Sequence, residues 1–477
     1  MQRWHLTVGL GGLVLIAAAI APTLSARVAD SPPPVVDPTP PIPQPVVVVE
    51  PVAPSTPDGH LVVTASLDRT AVLAGSGNER FLAITVSAPS ELGESFRRPV
   101  DLGVVMDTSG SMTSRGKIDY AKRAAKMLAS SMEEGDVYSL VTFSDDATTI
   151  VPATKIYDPA SIHDAVDRIL EGGGTNLYAG LEKGAGEVRR SLNEGAVGRV
   201  VLLSDGKANV GVIDPESLRR YAAMLSSQGV SVSTVGLGLD YNEDLLAEIA
   251  EIGGGTYDFV DNPKELQTVF VDELDRTAAV VARETTLRID LPTGVHGFEV
   301  IGWDAEASGT GWNVRLGDIY AGESRTIVAR VRVDAPQNAD TLPVAAITAD
   351  YHDLIDAQLA QTVTDAAATV TTSHAAIDAS TDRTAAINAN SAWGNYYLNL
   401  SARAYADGDV AKAQELAAEG GEVLKTAADA YGDESLARDA ENTVRQRQIY
   451  GAYRPSSAQG LTAIKGGKEH ARKAVGH

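Results

Sequence analysis

Between residues 99 and 282, short runs of Val and Leu alternate with stretches of helical spacing. A buried strand of a parallel sheet reads as a continuous apolar run, whereas a covering helix repeats its apolar residues every three or four positions. This pattern predicts an α/β domain with a doubly wound, mostly parallel sheet. It limits the possible folds more than any other feature, because parallel strands need crossover helices to connect them.

Strand-like alternation flanks this domain on both sides. It covers residues 59–98, for example in Arg80–Ser87, and returns in residues 283–375. One β-sandwich with the α/β domain inserted in it would give this pattern, and so would two separate small β modules. We favour the single sandwich, and we expect Trp303 and Trp312 to lie in its core rather than on an exposed binding platform.

The C-terminal part of the chain has a different composition. Residues 376–450 are rich in Ala with helical spacing, and Asp407-Gly408-Asp409 predicts a turn between two helices. The surrounding sequence faintly resembles one tetratricopeptide unit, which cannot bury a core by itself. We therefore predict a helical hairpin packed on its neighbours, followed by a polar, mildly basic and disordered tail over residues 451–477.

The first 58 residues have two features that concern location. Arg3 precedes an uncharged apolar run from Leu6 to about Ala21, which is typical of an export signal. The uncharged stretch is also just long enough to span a bilayer, so residues 1–30 are predicted to be a signal peptide or a retained N-terminal anchor. Either alternative places the body of the protein in the periplasm, at the cell surface or in the medium. The Pro- and Val-rich residues 31–58 predict a stiff linker.

Composition excludes several classes of function. The formal net charge is −23, with 40 Lys and Arg against 63 Asp and Glu, which argues against nucleic acid as a partner. The sequence contains no Cys, so disulfides, thiolate metal sites and cysteine nucleophiles are excluded. The 8 His show no zinc-ligand spacing. Any metal site is therefore expected to use oxygen ligands, which favours a hard cation.

Oxygen-bearing side chains follow the apolar runs of the α/β segment. Asp107, Ser109 and Ser111 come directly after one apolar run, at the carboxyl end of a central strand, where open α/β sheets bind ligands. Farther along, Thr175 follows three consecutive glycines, and Asp205 comes just after another apolar run. One carboxylate and two hydroxyls on a tight loop, with two more oxygens at the same edge, can converge on Mg²⁺.

This order of residues resembles the metal-ion-dependent adhesion site (MIDAS) of von Willebrand factor type A domains. The resemblance implies that Ser109, Ser111 and Thr175 bind a divalent metal through their hydroxyls. It also implies that Asp107 and Asp205 bind it directly or through water, and that an acidic side chain of a partner completes the site. The metal would be Mg²⁺, with Mn²⁺ or Ca²⁺ as alternatives. An exported A domain between β-rich flanks is also similar to bacterial secreted proteins of the inter-α-trypsin-inhibitor heavy-chain type.

The leading functional hypothesis is a binding module, acting in adhesion or assembly, for a protein that presents Asp or Glu. A scaffold of the cell envelope with a structural A domain is the main alternative. A metal-dependent hydrolase is disfavoured because the motif loops contain no His or Glu as general base, and Ser109 lies in no Gly-x-Ser-x-Gly elbow. We expect no enzymatic activity and no membrane contact except through the N-terminal anchor. Asp145 and Asp146 are expected to form a solvated acidic loop rather than a second cation site.

Overall fold

The computed structural model describes residues 59–90, 97–157, 159–193 and 195–474. The predicted export segment and proline-rich linker, residues 1–58, lie outside the described residues. Within the described part, no helix combines the length and the apolar character needed to cross a membrane. The described ranges form a β-sandwich, an α/β domain and a C-terminal group of helices.

The β-sandwich begins before the α/β domain. Its first strands are β1 (Val62–Leu67), β2 (Ala71–Leu73) and β3 (Gly77–Ser87). Strand β3 alternates for much of its length, and Leu82, Ile84 and Val86 are fully buried in the sandwich core. Since alternate residues of a strand point to opposite faces, this pattern fixes which face of β3 packs inward.

The α/β domain has a six-stranded central sheet. Its strands are β4 (Val100–Asp107), β5 (Val137–Phe143), β6 (Ala147–Lys155), β7 (Val197–Ser204), β8 (Val230–Leu237) and β9 (Gly254–Val260). Its helices are α1 (Lys117–Ser131), α2 (Pro159–Asp167), α3 (Leu177–Ser191), α4 (Pro215–Ser227), α5 (Glu243–Ile252) and α6 (Leu266–Ala278). The strand order is β6-β5-β4-β7-β8-β9, and every neighbouring pair is parallel except β5 with β6.

Helices cover both faces of this sheet, so every residue of the central strand β4 is buried. Leu102, Val104 and Met106 of β4 pack with α1, α2 and α6 on one face. Val105 packs with α3, α4 and α5 on the other face. The prediction of a doubly wound, mostly parallel α/β sheet is therefore confirmed. Helix α3 lies so close to β4 that a Cβ on Gly184 would come within 2.1 Å of Val105 Cγ2.

After the α/β domain the chain returns to the sandwich. The remaining strands are β10 (Val280–Asp290), β11 (Val295–Ile301), β12 (Ala305–Ser308), β13 (Gly311–Tyr320), β14 (Ser324–Asp334), β15 (Thr341–Asp353) and β16 (Gln358–Thr371). One sheet has the order β1-β3-β14-β11 and the other has the order β12-β13-β10-β15-β16-β2. Because β2 pairs with β16 and β3 pairs with β14, both of which follow the α/β domain, there is one sandwich with an inserted domain, and the alternative of two separate β modules is wrong.

Two details of the sandwich differ from the expectation. Strand β10 begins at Val280, so the sandwich starts before residue 283. Trp303 belongs to the sandwich core, as predicted, whereas Trp312 is half-buried and stacks on Phe298 with 5.3 Å between the ring centroids.

The C-terminal region is helical, as predicted, but it contains more helices than the two of the predicted hairpin. Its helices are α7 (His374–Ala379), α8 (Arg383–Ala406), α9 (Val410–Tyr431), α10 (Glu434–Ala452) and α11 (Ala458–Ala474). The turn between α8 and α9 lies at the predicted place, and Gly408 adopts a φ of +88°, which favours glycine. Trp393 of α8 packs on Phe81 of β3 with 5.8 Å between the ring centroids, so the helices rest on the sandwich.

The prediction of a disordered tail is wrong for residues 458–474, which form helix α11. Ile464 on this helix packs in a small core with Tyr405 and Tyr450. One turn farther along, the Lys468 ammonium binds both carboxylate oxygens of Asp244 in the α/β domain, at 2.8 and 2.9 Å. A basic polar stretch therefore folds here because another domain supplies its acidic partners.

A buried polar cluster joins the α/β domain to the sandwich. The side chain of Arg199 in β7 has 0% exposure, and its guanidinium donates to Glu273 of α6 at 3.2 Å and to Asp318 of β13 at 3.0 Å. Ser233 accepts a further hydrogen bond from Arg199 at 2.8 Å, and Ser231 donates to Asp318 at 2.7 Å. Arg276 lies 3.7 Å from Glu273 and Arg283 lies 3.7 Å from Asp318, so two longer ion pairs flank this buried cluster.

We predict that Arg199→Met destabilises the protein by about 3–5 kcal/mol, because it leaves the buried carboxylates of Glu273 and Asp318 with only the longer ion pairs to Arg276 and Arg283. Guanidinium unfolding followed by circular dichroism measures the loss. Arg220→Met is the matched control, since the Arg220 side chain is 76% exposed and pairs with Glu216 on the same helix. The control should leave the free energy of unfolding nearly unchanged. Equal stability of the two variants would contradict this role of Arg199.

A second buried charge lies at the start of β4. Asp101 is 1% exposed, and the Ser191 hydroxyl offsets the burial of its carboxylate only in part. Burial raises the pKa of Asp101 from 3.8 to about 6. The folded state therefore holds this proton more tightly than the unfolded chain, and ionisation of Asp101 destabilises the fold.

The pKa of Asp101 predicts a pH dependence of stability. Its contribution to the free energy of unfolding should fall as the pH rises from about 4 to about 6 and stay constant above that range. Asp101→Asn removes this dependence and should stabilise the protein by about 2 kcal/mol at pH 7. Thermal unfolding of both proteins across this pH range tests it. A variant that is less stable than the wild type at pH 7 would contradict the prediction.

Candidate metal centre

The first candidate ligand, Asp107, lies at the carboxyl end of β4 and is fully buried. Its Oδ1 accepts the N–H of Ser109 at 2.8 Å, and its Oδ2 accepts the hydroxyl of Ser204 at 2.6 Å. Burial raises the pKa of Asp107, which these hydrogen bonds offset only in part. A cation beside this carboxylate would favour its ionised form.

The candidate hydroxyls of the first loop connect Asp107 to Asp205. Ser109 Oγ lies 3.0 Å from Ser111 Oγ, and Ser111 donates its hydroxyl to Asp205 Oδ1 at 2.6 Å. Asp205 follows β7, the neighbour of β4 in the sheet, so the parallel pairing brings the two strand ends to one edge. The structure thus brings four of the five sequence-predicted residues into one chain of contacts.

Thr175 reaches the same place from a third loop. Its N–H donates to Asn209 Oδ1 at 2.8 Å, and its carbonyl accepts the N–H of Asn209 at 3.1 Å. Its hydroxyl faces Gly206, because a Cβ built there would lie 3.2 Å from Thr175 Oγ1 and 3.6 Å from Ser111 Oγ. The fifth predicted residue therefore also lies beside the group.

Backbone hydrogen bonds hold the Thr175 loop against the first loop. Gly172 donates its N–H to the Thr108 carbonyl at 2.7 Å, and Gly110 donates its N–H to the Gly173 carbonyl at 3.2 Å. Gly173 has a φ of +85°, a conformation that residues with a Cβ disfavour. The run of glycines thus lets the backbones of the two loops come into direct contact.

The third glycine of the run is also closely packed. A Cβ on Gly174 would lie 2.6 Å from Val210 Cγ2, in the loop that follows Asp205. The Gly174 N–H donates to Asp145 Oδ1 at 2.8 Å. Asp145 is exposed, as expected for an acidic loop, and it also holds the Thr175 loop in position, which the sequence analysis did not anticipate.

Lys117 is a member of this group that the sequence analysis missed. It opens α1, and its Nζ lies 2.6 Å from Asp205 Oδ2. Both side chains are buried, with exposures of 6% for Lys117 and 0% for Asp205. One signal could have identified it, since a lysine in the first turn of a helix opposes the helix dipole and needs a specific reason to be there.

The chemistry of the group fits a hard divalent cation. Its donors are two carboxylates and three hydroxyls, all oxygen, as Mg²⁺ and Ca²⁺ prefer. Within the described ranges, no three His, Cys, Asp or Glu side chains gather in a geometry that could hold a metal ion. A metal bound at this edge would therefore depend on hydroxyl ligands for much of its coordination.

Comparison with known proteins identifies the α/β domain. Residues 101–272 match the family model of the von Willebrand factor type A domain, and the fold of this region is that of such a domain. The chain is 31% identical over 234 residues to the uncharacterized protein YfbK of Escherichia coli K12, covering 48% of this chain and 41% of that protein. It is 28% identical over 210 residues to human inter-alpha-trypsin inhibitor heavy chain H4, covering 42% of this chain and 22% of that one.

These relatives are matched only in part, since the chain spans about two fifths of YfbK and about one fifth of the human heavy chain. A solved structure resembles the chain over most of its length. The von Willebrand factor type A protein from Catenulispora acidiphila aligns with a TM-score of 0.64 at 18% identity, covering 88% of this chain and 96% of that one. This likeness extends the shared fold beyond the A domain.

We predict that Gly174→Ala displaces the Thr175 loop and destabilises the protein by about 1–3 kcal/mol, because its methyl group would overlap Val210 and Asp145. Gly186→Ala is the control, since a Cβ at Gly186 in α3 meets nothing within 4 Å. This control should keep or slightly raise the melting temperature. Differential scanning calorimetry compares the two variants, and a neutral Gly174→Ala would contradict the close packing of this loop.

Proposed function

We propose that this protein is a binding module that captures an acidic side chain of a partner protein through a divalent metal. The metal would be held by Asp107, Ser109, Ser111, Thr175 and Asp205, with Mg²⁺ as the expected ion and Mn²⁺ or Ca²⁺ as alternatives. When bound, the ion supplies an open coordination position for one carboxylate oxygen. Adhesion and assembly are the roles to which such a contact is suited, because a metal–carboxylate bond is strong and directional.

The observation that carries this proposal is the contact chain from Asp107 through Ser109 and Ser111 to Asp205. These residues come from two strand ends, and they meet at the sheet edge where open α/β folds bind ligands. Asp107 and Asp205 are both fully buried, whereas Ser111 is exposed. A ligand would therefore approach from the Ser111 side.

The loops around the group support binding of a protein. Leu170 is 84% exposed and precedes the glycines of the Thr175 loop, and Ile213 is 54% exposed in the segment that follows Asp205. These exposed apolar side chains are available to a partner protein that docks on the two loops. They would add contact area around the carboxylate that binds the metal, and they would contribute to the choice of partner.

We infer binding rather than catalysis from the neighbours of the group. In the described part of the chain, the other side chains that share hydrogen bonds with these five residues are those of Ser114, Ser204, Lys117 and Asn209. None of these is a His or Glu that could act as a general base for hydrolysis. Export of the protein remains part of the proposal and rests on the apolar run that follows Arg3.

The metal site is tested by Asp107→Ala. We expect this variant to weaken Mg²⁺ binding by at least about 100-fold, because it removes a buried carboxylate from the ligand set. Isothermal titration calorimetry measures the affinity. Asp101→Asn is the control, since it changes a buried aspartate at the opposite end of the same strand and should leave the affinity unchanged. An unchanged Mg²⁺ affinity in folded Asp107→Ala would contradict the metal site.

The partner is tested by affinity purification from the native envelope and medium, with and without EDTA. Proteins retained by the wild type and lost both on chelation and with Asp107→Ala support metal-mediated capture. Retention of the same proteins under all conditions would instead favour the scaffold alternative, in which the A domain binds without a metal. Replacement of the partner's Asp or Glu by Asn or Gln then identifies the carboxylate.

A further inference from the structure

Lys117 has an unusual position for a buried cation. It is the first residue of α1, where the positive end of the helix dipole disfavours an ammonium group. Its pairing with Asp205 also removes two charges from water, and the desolvation cost of a buried pair can exceed the Coulombic gain. An aliphatic side chain here would avoid the unfavourable dipole contact, so stability alone does not account for the lysine.

The ammonium is held in one place by packing. A Cβ on Gly238, in the loop after β8, would lie 3.2 Å from both Cε and Nζ of Lys117. The Nζ donates to Asp205 Oδ2 at 2.6 Å, while Asp205 Oδ1 accepts the hydroxyl of Ser111 at 2.6 Å. Asp205 is therefore oriented through both of its oxygens, with Oδ1 facing the candidate hydroxyl ligands.

The charges of the group can be added up. The carboxylates of Asp107 and Asp205 carry two negative charges, and Lys117 offsets one of them. A divalent ion would therefore leave one net positive charge in the centre, whereas the same centre without Lys117 would be neutral. Because the surroundings are buried, these charges are screened much less than they would be in water.

We propose that Lys117 is a specificity-determining residue of the metal centre: it lowers the affinity for the divalent ion and raises the affinity of the loaded centre for an anionic partner. This inference rests on the proposed function and names the charge that the partner must carry. The ammonium repels the metal ion and weakens the donation of Asp205 to it. The positive charge that remains attracts a carboxylate. It increases the affinity for neutral oxygen ligands such as carbonyls much less.

Two substitutions separate the charge from the packing. Lys117→Met removes the charge and keeps an unbranched side chain, and Lys117→Gln also keeps a donor for Asp205. We expect each variant to bind Mn²⁺ at least about tenfold more tightly and, once loaded with Mn²⁺, to bind acetate at least about tenfold more weakly. Titration calorimetry measures the Mn²⁺ affinity. Mn²⁺-induced broadening of the acetate methyl resonance measures the affinity of the loaded centre for acetate.

The control is Lys126→Met, which removes a lysine that lies farther along α1 and pairs with Asp167 of α2. It should change neither affinity, and circular dichroism verifies that all variants fold. A purely structural role for Lys117 would not shift the two affinities in opposite directions. If either affinity stays unchanged in folded Lys117→Gln, or if both shift in the same direction, the inference about Lys117 is overturned.

The same titrations distinguish this inference from the proposed function. If the wild type binds Mn²⁺ and the Lys117 variants bind it equally well, only the role of Lys117 fails. If the wild type does not bind Mn²⁺ but Lys117→Gln does, the proposed function fails, and the effect of Lys117 on the ion is supported. If neither binds Mn²⁺, both are overturned.

Discussion

The buried guanidinium of Arg199 is the contact on which the arrangement of the domains depends. It lies near the start of β7 and binds one carboxylate of the α/β domain, Glu273, and one of the sandwich, Asp318. Separating the two domains would leave Asp318 with only its longer ion pair to Arg283, so Arg199 ties the inserted domain to the sandwich. Since Asp205 follows the other end of β7, a single strand joins the interdomain contact to the candidate metal centre.

The candidate centre differs from the Arg199 cluster in its charge balance, because the protein balances its negative charges only in part. Asp205 has Lys117 as its cation, whereas the contacts of Asp107 are neutral donors, Ser109 and Ser204. Burial raises the pKa of Asp107, which is the expected consequence of a carboxylate that has no cation of its own. The uneven balance of the two aspartates supports a role for an external cation beside Asp107.

The sequence predicted what depends on local pattern, namely the α/β alternation, the insertion in a sandwich and the five oxygen-bearing residues of the candidate site. It did not predict Lys117 or the Gly174 contact of Asp145, because their partners lie on other loops. Helix α11 was missed for the same reason, since a basic polar stretch resembles a disordered tail until acidic partners such as Asp244 are known. Long-range pairing of charges, which leaves no periodic signal, thus accounts for most of what the sequence did not predict.

Helix α11 also contacts the loop that packs against Lys117 of the candidate centre. Residues 238–242 connect β8 to α5; Lys117 lies against Gly238 at the start of this loop. Near its end, the Lys465 ammonium of α11 lies 3.6 Å from the centroid of the Tyr241 ring. Tyr241 in turn packs so tightly over Gly236 that a Cβ there would come within 2.1 Å of its ring. Since α11 could not leave without uncovering Tyr241, the C-terminal helix stabilises the loop that holds Lys117 beside Asp205.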